Sequence, residues 1–105
     1  MLNHIVLFKL KAEVTQERVE DMMRQTRISL LKIPEILAVK CGRRTDRANP
    51  WEFFYAIEVE SREKLAVCEE NAIYIKYLKE VIKPHTAERQ VLNYEMDPGR
   101  DASLS

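Results

Sequence analysis

The sequence predicts an α+β fold, with one four-stranded antiparallel sheet, helices on one of its faces, and a second copy of the chain over the other. Three observations lead there. Stretches with apolar residues at every second position alternate with stretches at helical spacing, in the order strand, helix, strand, strand, helix, strand. The opening strand, His4 to Lys11, is apolar on both faces: His4, Val6, Phe8 and Leu10 point one way, Ile5 and Leu7 the other. A strand buried on both sides is central in its sheet and has something packed against each face. Finally, the chain has 105 residues, one domain's worth, which can cover one sheet face with its own helices and needs help with the other.

Each element has its own justification. After the first strand, Thr15 is placed to cap a helix starting near Gln16, with Glu17 in its first turn. Val19, Met22, Met23, Thr26, Leu30 and Ile33 then recur along one helical face, opposite Glu20, Asp21, Arg24 and Arg27. Pro34 ends this helix, because the residue before a proline is pushed out of the helical region. Ile36 to Arg43 reads as a second strand, and Arg43 to Pro50 as a polar loop with turn residues Asp46, Asn49 and Pro50.

The third strand spans Trp51 to Glu60, with Phe53, Tyr55, Ile57 and Val59 on one face and Phe54, Ala56 and Glu58 on the other. Ser61 caps a short helix bearing Leu65, Val67 and Cys68, and Asn71 caps the next. Tyr74, Tyr77, Leu78, Val81 and Ile82 form an apolar stripe that Pro84 ends. Ala87 to Met96 is the last strand. The domain is thus expected over residues 1–96, with a mobile polar tail over 97–105.

This order is the ferredoxin-like β-α-β-β-α-β arrangement. Right-handed crossovers put both helices on one sheet face and the first strand in an inner position. The other face, with Ile5, Leu7, Phe54 and Ala56, would be bare, and a symmetric pair of such faces would close as a dimeric α+β barrel. A homodimer through these four residues is therefore expected.

Composition excludes several classes. Hydrophobic content of 46% and charged content of 32% describe a globular chain. Seventeen basic and seventeen acidic residues balance, giving no electrostatic reason for nucleic acid or an anionic membrane as partner. No apolar run approaches membrane-spanning length, and the start does not read as a secretory signal. Two cysteines, Cys41 and Cys68, make neither a disulfide framework nor a zinc site and are taken as free thiols of a cytoplasmic protein. Two glycines leave no phosphate-cradling loop. No acidic cluster has metal-ligand spacing, and no cofactor or metal is expected.

The candidate pocket lies between helices and sheet. His4, Val6, Phe8, Met22, Met23, Thr26, Phe53 and Tyr55 should converge there, closed by Tyr74, Tyr77 and His85. As a site it would suit a small aromatic or acyl ligand; as plain core, its methionines would simply fill gaps. His4 is either an acid/base or a strand-end hydrogen bonder, and Tyr74 either offers its hydroxyl to a ligand or keeps only its tip wet. His85 suits the negative end of a helix dipole. Arg43, Arg44 and Arg47 either grip an anion or form a charged loop beside Asp46.

The chain resembles the stress-responsive A/B barrel domain (Dabb) family over residues 3–95. The residues that carry the resemblance are His4-Ile5-Val6-Leu7-Phe8-Lys9-Leu10-Lys11, Glu13-Val14-Thr15, Ile33-Pro34, Glu58-Val59-Glu60-Ser61, Lys83-Pro84 and Asn93-Tyr94. The resemblance implies a dimeric α+β barrel but no single activity. Polyketide cyclases of this kind use a His-Pro-x-His motif and a nearby tyrosine. Here Asn71-Ala72-Ile73-Tyr74 stand at the motif, Cys68 at the tyrosine and Phe53 at a third-strand histidine, while the first-strand histidine survives as His4. Cyclisation by that route is not expected, since tyrosine is a poor substitute for imidazole near neutral pH. The expectation is a homodimer that binds a small apolar or aromatic molecule. The alternatives are a cofactor-independent cyclase, isomerase or monooxygenase-like enzyme using His4 and Tyr74, and a purely structural dimer.

Overall fold

A computed structural model describes residues 1–97; all of the tail expected over 97–105 except its first residue lies outside the described residues. Strand β1 (Leu2–Leu10) leads into helix α1 (Gln16–Leu30), followed by β2 (Ala38–Arg43), β3 (Phe53–Val59), α2 (Arg62–Glu70) and α3 (Ala72–Tyr77). A π-helical turn (Leu78–Ile82) and a 3-10 turn (Lys83–His85) then deliver the chain to β4 (Thr86–Glu95). The sheet is antiparallel in the order β2-β3-β1-β4, so β1 is inner, as its two apolar faces required.

Local chemistry sets the helix ends. Thr15 Oγ1 accepts from the Arg18 amide at 3.1 Å, Ser61 Oγ from Lys64 at 3.2 Å, and Asn71 Oδ1 from Ile73 at 2.8 Å. Helix α1 stops at Leu30, three residues before the end of its apolar stripe. Pro34 has no amide to give the Leu30 carbonyl, and Ile33 instead closes a turn onto that carbonyl at 3.1 Å. The stripe ended by Pro84 is not one helix either. After Tyr77 it widens into the π turn, which shifts the register of the side chains that follow.

At Lys9/Leu10 the β1–β4 register shifts, and beyond the last β1–β3 pair the Leu10 amide is taken by the Glu52 carboxylate at 2.8 Å. The core lies between sheet and helices, built on Val6, Phe8, Met22, Leu30, Phe53, Tyr55, Ile57, Val59, Tyr74 and Tyr77. Val67, expected on the apolar side of α2, is instead 47% exposed, because Leu65 and Cys68 already supply the face that packs. On the helix-free face, Ile5, Leu7 and Phe54 are half-buried and Ala56 is buried among them. Register adds Leu92 opposite Ile5 and Tyr94 opposite Asn3, and Tyr94 is exposed. An apolar patch this continuous is unusual on a monomer's surface.

Candidate functional site

The expected convergence of residues divides into two environments. Phe8, Met22, Thr26, Phe53 and Tyr77 are buried in the packed core and do not border the His4 cavity, Tyr77 edging instead a separate space between α1 and α3. Thr26 donates to the Met22 carbonyl at 2.7 Å, so the single hydroxyl hydrogen of Tyr77 goes to Thr26 Oγ1 at 2.6 Å. Both hydroxyls are thereby satisfied inside the core. Met23 sits at the α1–β2 contact, where its carbonyl accepts from the Cys41 thiol at 3.5 Å. His85 also lies apart from the cavity. Its carbonyl takes the Lys11 amide at 2.9 Å, and partial burial with the nearby Arg18 and Lys11 charges lowers its pKa. Asp21 and Glu13 oppose that shift.

The remaining candidates do share a cavity. His4, Val6, Tyr55 and Tyr74 line a space of about 250 Å3 bounded by β1, β4, α2 and the α3–π turn junction. Leu65, Glu69, Leu78, Arg89, Val91 and Asn93 complete the lining. None of these six was picked out from the sequence as a site residue, yet the last three follow one signal. Positions 89, 91 and 93 share a face of β4, and the antiparallel register sets Asn93 opposite His4, Val91 opposite Val6 and Arg89 opposite Phe8.

That register produces the central contact. His4 Nδ1 lies 2.6 Å from Asn93 Oδ1, an acceptor, so Nδ1 carries the ring proton. Nε2 is then the acceptor nitrogen. Among the described residues no fully buried side-chain polar atom lacks a partner, and Nε2 has none, so it is open to the cavity although His4 is only 5% exposed. The rings of His4 and Tyr55 are 6.5 Å apart, and Tyr55 in turn meets Tyr74 edge-on at 6.4 Å.

The Tyr55 and Tyr74 hydroxyls are 2.6 Å apart. Burial pushes Tyr74 up to about 12, with the Glu69 charge also raising it and the hydrogen bond with Tyr55 lowering it. Tyr55 is raised further, first by burial and then by Tyr74. Burial thus keeps both hydroxyls protonated at neutral pH, and either can donate in the bond between them. At the cavity mouth, exposed Glu69 and Arg89 present opposite charges.

Elsewhere the chemistry is self-contained. Arg44 pairs with Glu52 at 3.8 Å and donates to the Asn49 carbonyl at 2.9 Å, while Arg43 donates to Gln16 Oε1 at 3.3 Å. The arginine loop thus spends two of its guanidinium groups on structure. Cys68 is fully buried and pushed up to about 11 by burial and by the Glu35 and Glu69 charges, so it stays a thiol. No helix among the described residues is long and apolar enough to cross a membrane.

The fold and its helix-side cavity define a ferredoxin-like α+β domain. The chain belongs to the stress responsive A/B barrel domain family, whose sequence profile matches residues 2–96. None of the curated proteins matches it. Among solved structures it is similar to a dimeric ferredoxin-like protein of unknown function from Thermobifida fusca, with 20% identity, TM-score 0.80, and 90% of each chain covered. It is also similar to the hydroxynitrile lyase from Passiflora edulis, with 20% identity, TM-score 0.78, and 95% of this chain and 96% of that one covered. A putative antibiotic biosynthesis monooxygenase from Nitrosomonas europaea matches with 20% identity and TM-score 0.68, covering 91% of this chain and 98% of the other.

Proposed function

We propose that this protein is a homodimer that binds a small aromatic or acyl carbonyl compound in the His4 cavity and moves a proton on it without a cofactor. The observation that carries the reading is the shared cavity itself. His4, with Nε2 open and Nδ1 held by Asn93, and Tyr74, its hydroxyl bonded to that of Tyr55, line one space of about 250 Å3. Nε2 removes a proton from the carbon beside the carbonyl, and the Tyr74 O–H donates to the carbonyl oxygen as enolate charge develops there. The proton held on Nε2 then returns to the ligand. Tyr74, pushed up to about 12, keeps its proton at neutral pH and suits the donor's role rather than the base's. The homodimer is supported by the apolar patch on the helix-free face and by the dimeric state named for the Thermobifida fusca structure.

A second reading, binding without chemistry, is favoured by one feature. The cavity opens between exposed Glu69 and Arg89, and His4 is the one imidazole among its described lining residues. One experiment separates the two without knowledge of the natural substrate. Exchange of α-hydrogens into D2O is followed by NMR for a panel of aryl ketones and β-keto esters. Catalysis predicts accelerated exchange that falls by about 100-fold or more in His4→Gln, with a smaller loss in Asn93→Leu, which leaves Nδ1 unheld. Exchange at the wild-type rate in His4→Gln would remove His4 as the base. Saturable ligand shifts with no exchange at all would leave the binding reading.

A further inference from the structure

Beside the cavity, between α3 with its π turn and the start of β4, runs a larger groove of about 600 Å3. Ile75, Leu78 and Ile82 give it an apolar floor, and Lys79, Lys83 and Arg89 ring it. Leu78 and Arg89 border both spaces, so groove and cavity are neighbours across these two side chains. No acidic side chain lines the groove, and none of its three cations makes an ion pair among the described residues. Ile75 is 52% exposed, a large apolar side chain left in water at the groove's centre. Surface lysines and arginines usually stand near carboxylates, and apolar residues this exposed are usually scattered singly. Here three unpaired cations surround one exposed apolar side chain, Ile75, with Leu78 and Ile82 beneath it, in a groove beside the His4 cavity.

We propose that this groove selects the ligand: an amphiphilic carboxylate whose anionic group meets Arg89 at the junction and whose alkyl chain lies over Ile75, Leu78 and Ile82. Arg89 is suited to that position because its planar fork takes a carboxylate through two hydrogen bonds. Lys79 and Lys83 add positive potential along the chain's path and draw the anion in. The groove lies on the helix side of the sheet, so pairing of the opposite face leaves it open. The inference rests on the His4 cavity being a small-molecule site and adds the class of molecule.

Calorimetric titration with octanoate, 1-octanol and acetate tests it on the full chain. Octanoate should bind, acetate should not, and 1-octanol should bind more weakly than octanoate. Arg89→Gln should weaken octanoate about tenfold, the cost of losing one charge-assisted pair, and leave 1-octanol unchanged. Ile75→Ser, on an exposed position that the fold does not need, should weaken both. Equal affinity for octanoate and 1-octanol, or octanoate binding that Arg89→Gln leaves intact, would overturn the proposal. Binding heat is read without turnover, so the His4 exchange experiment can fail while this one succeeds, and the reverse.

Discussion

Raising the pH above 9 should unfold this protein far more steeply than its charge balance suggests, because three tyrosines are buried with their protons on. Tyr55, Tyr74 and Tyr77 are each 2% exposed or less, and burial raises all three hydroxyls, Tyr74 to about 12 and the other two beyond it. In the unfolded chain a tyrosine titrates near 10. Between those values the folded state holds protons that the unfolded state has released, so stability falls as pH rises. At pH 11 an unfolded tyrosine is ionised about ten to one and a folded one at about 12 is protonated by the same ratio, a difference of about 1–2 kcal/mol. Three tyrosines together cost about 4 kcal/mol, a large part of the about 5–15 kcal/mol that holds a typical domain together. Cys68, raised to about 11, acts with the same sign from a lower pH.

Urea denaturation at fixed protein concentration, from pH 8 to pH 11, measures the loss. Tyrosinate absorbance at 295 nm, read in a Tyr94→Phe background, reports whether the buried tyrosines ionise before or with unfolding. Tyr74→Phe should reduce the loss at pH 11 by about 1–2 kcal/mol. Stability at pH 11 within about 1 kcal/mol of that at pH 8 would refute the reasoning. So would ionisation of all three tyrosines near pH 10 in a protein that is still folded.

Two further perturbations test the packing. Thr26→Val removes the acceptor of the buried Tyr77 hydroxyl and should cost about 1–3 kcal/mol; adding Tyr77→Phe should recover part of it, and additive losses in the double-mutant cycle would show that the hydroxyls are not coupled. Leu7→Glu puts a charge in the middle of the helix-free face, where Leu7 sits between Phe54 and Gln90. Sedimentation should show the wild type at twice 12.4 kDa and the variant at that mass itself; a monomeric wild type would sink the paired-face proposal.

Much of the architecture was legible because it rests on local rules. The caps at Thr15, Ser61 and Asn71 are short side chains facing amides two or three residues on, and each acts where the sequence put it. The alternation of β1 and β3 sorted His4, Val6, Phe8 and Tyr55 from Ile5, Leu7 and Phe54, since a strand offers only two directions. The ends of α1 and of the Tyr74–Ile82 stripe were less legible. A proline's effect on its carbonyl partner and a π turn's shift of register are set by the backbone, while the apolar pattern runs on past them.

The sequence by itself determined which side chains face the helices and which face away, because periodicity fixes direction within one element. Only the tertiary structure decided which of the inward-facing groups have space beside them. Met22, Thr26 and Tyr77 meet partners from other elements and fill the core. His4 meets Asn93, 89 residues on, and the β1–β4 register leaves its second nitrogen open. A cavity is a shortfall of neighbours drawn from distant parts of the chain, and no local pattern records what fails to arrive.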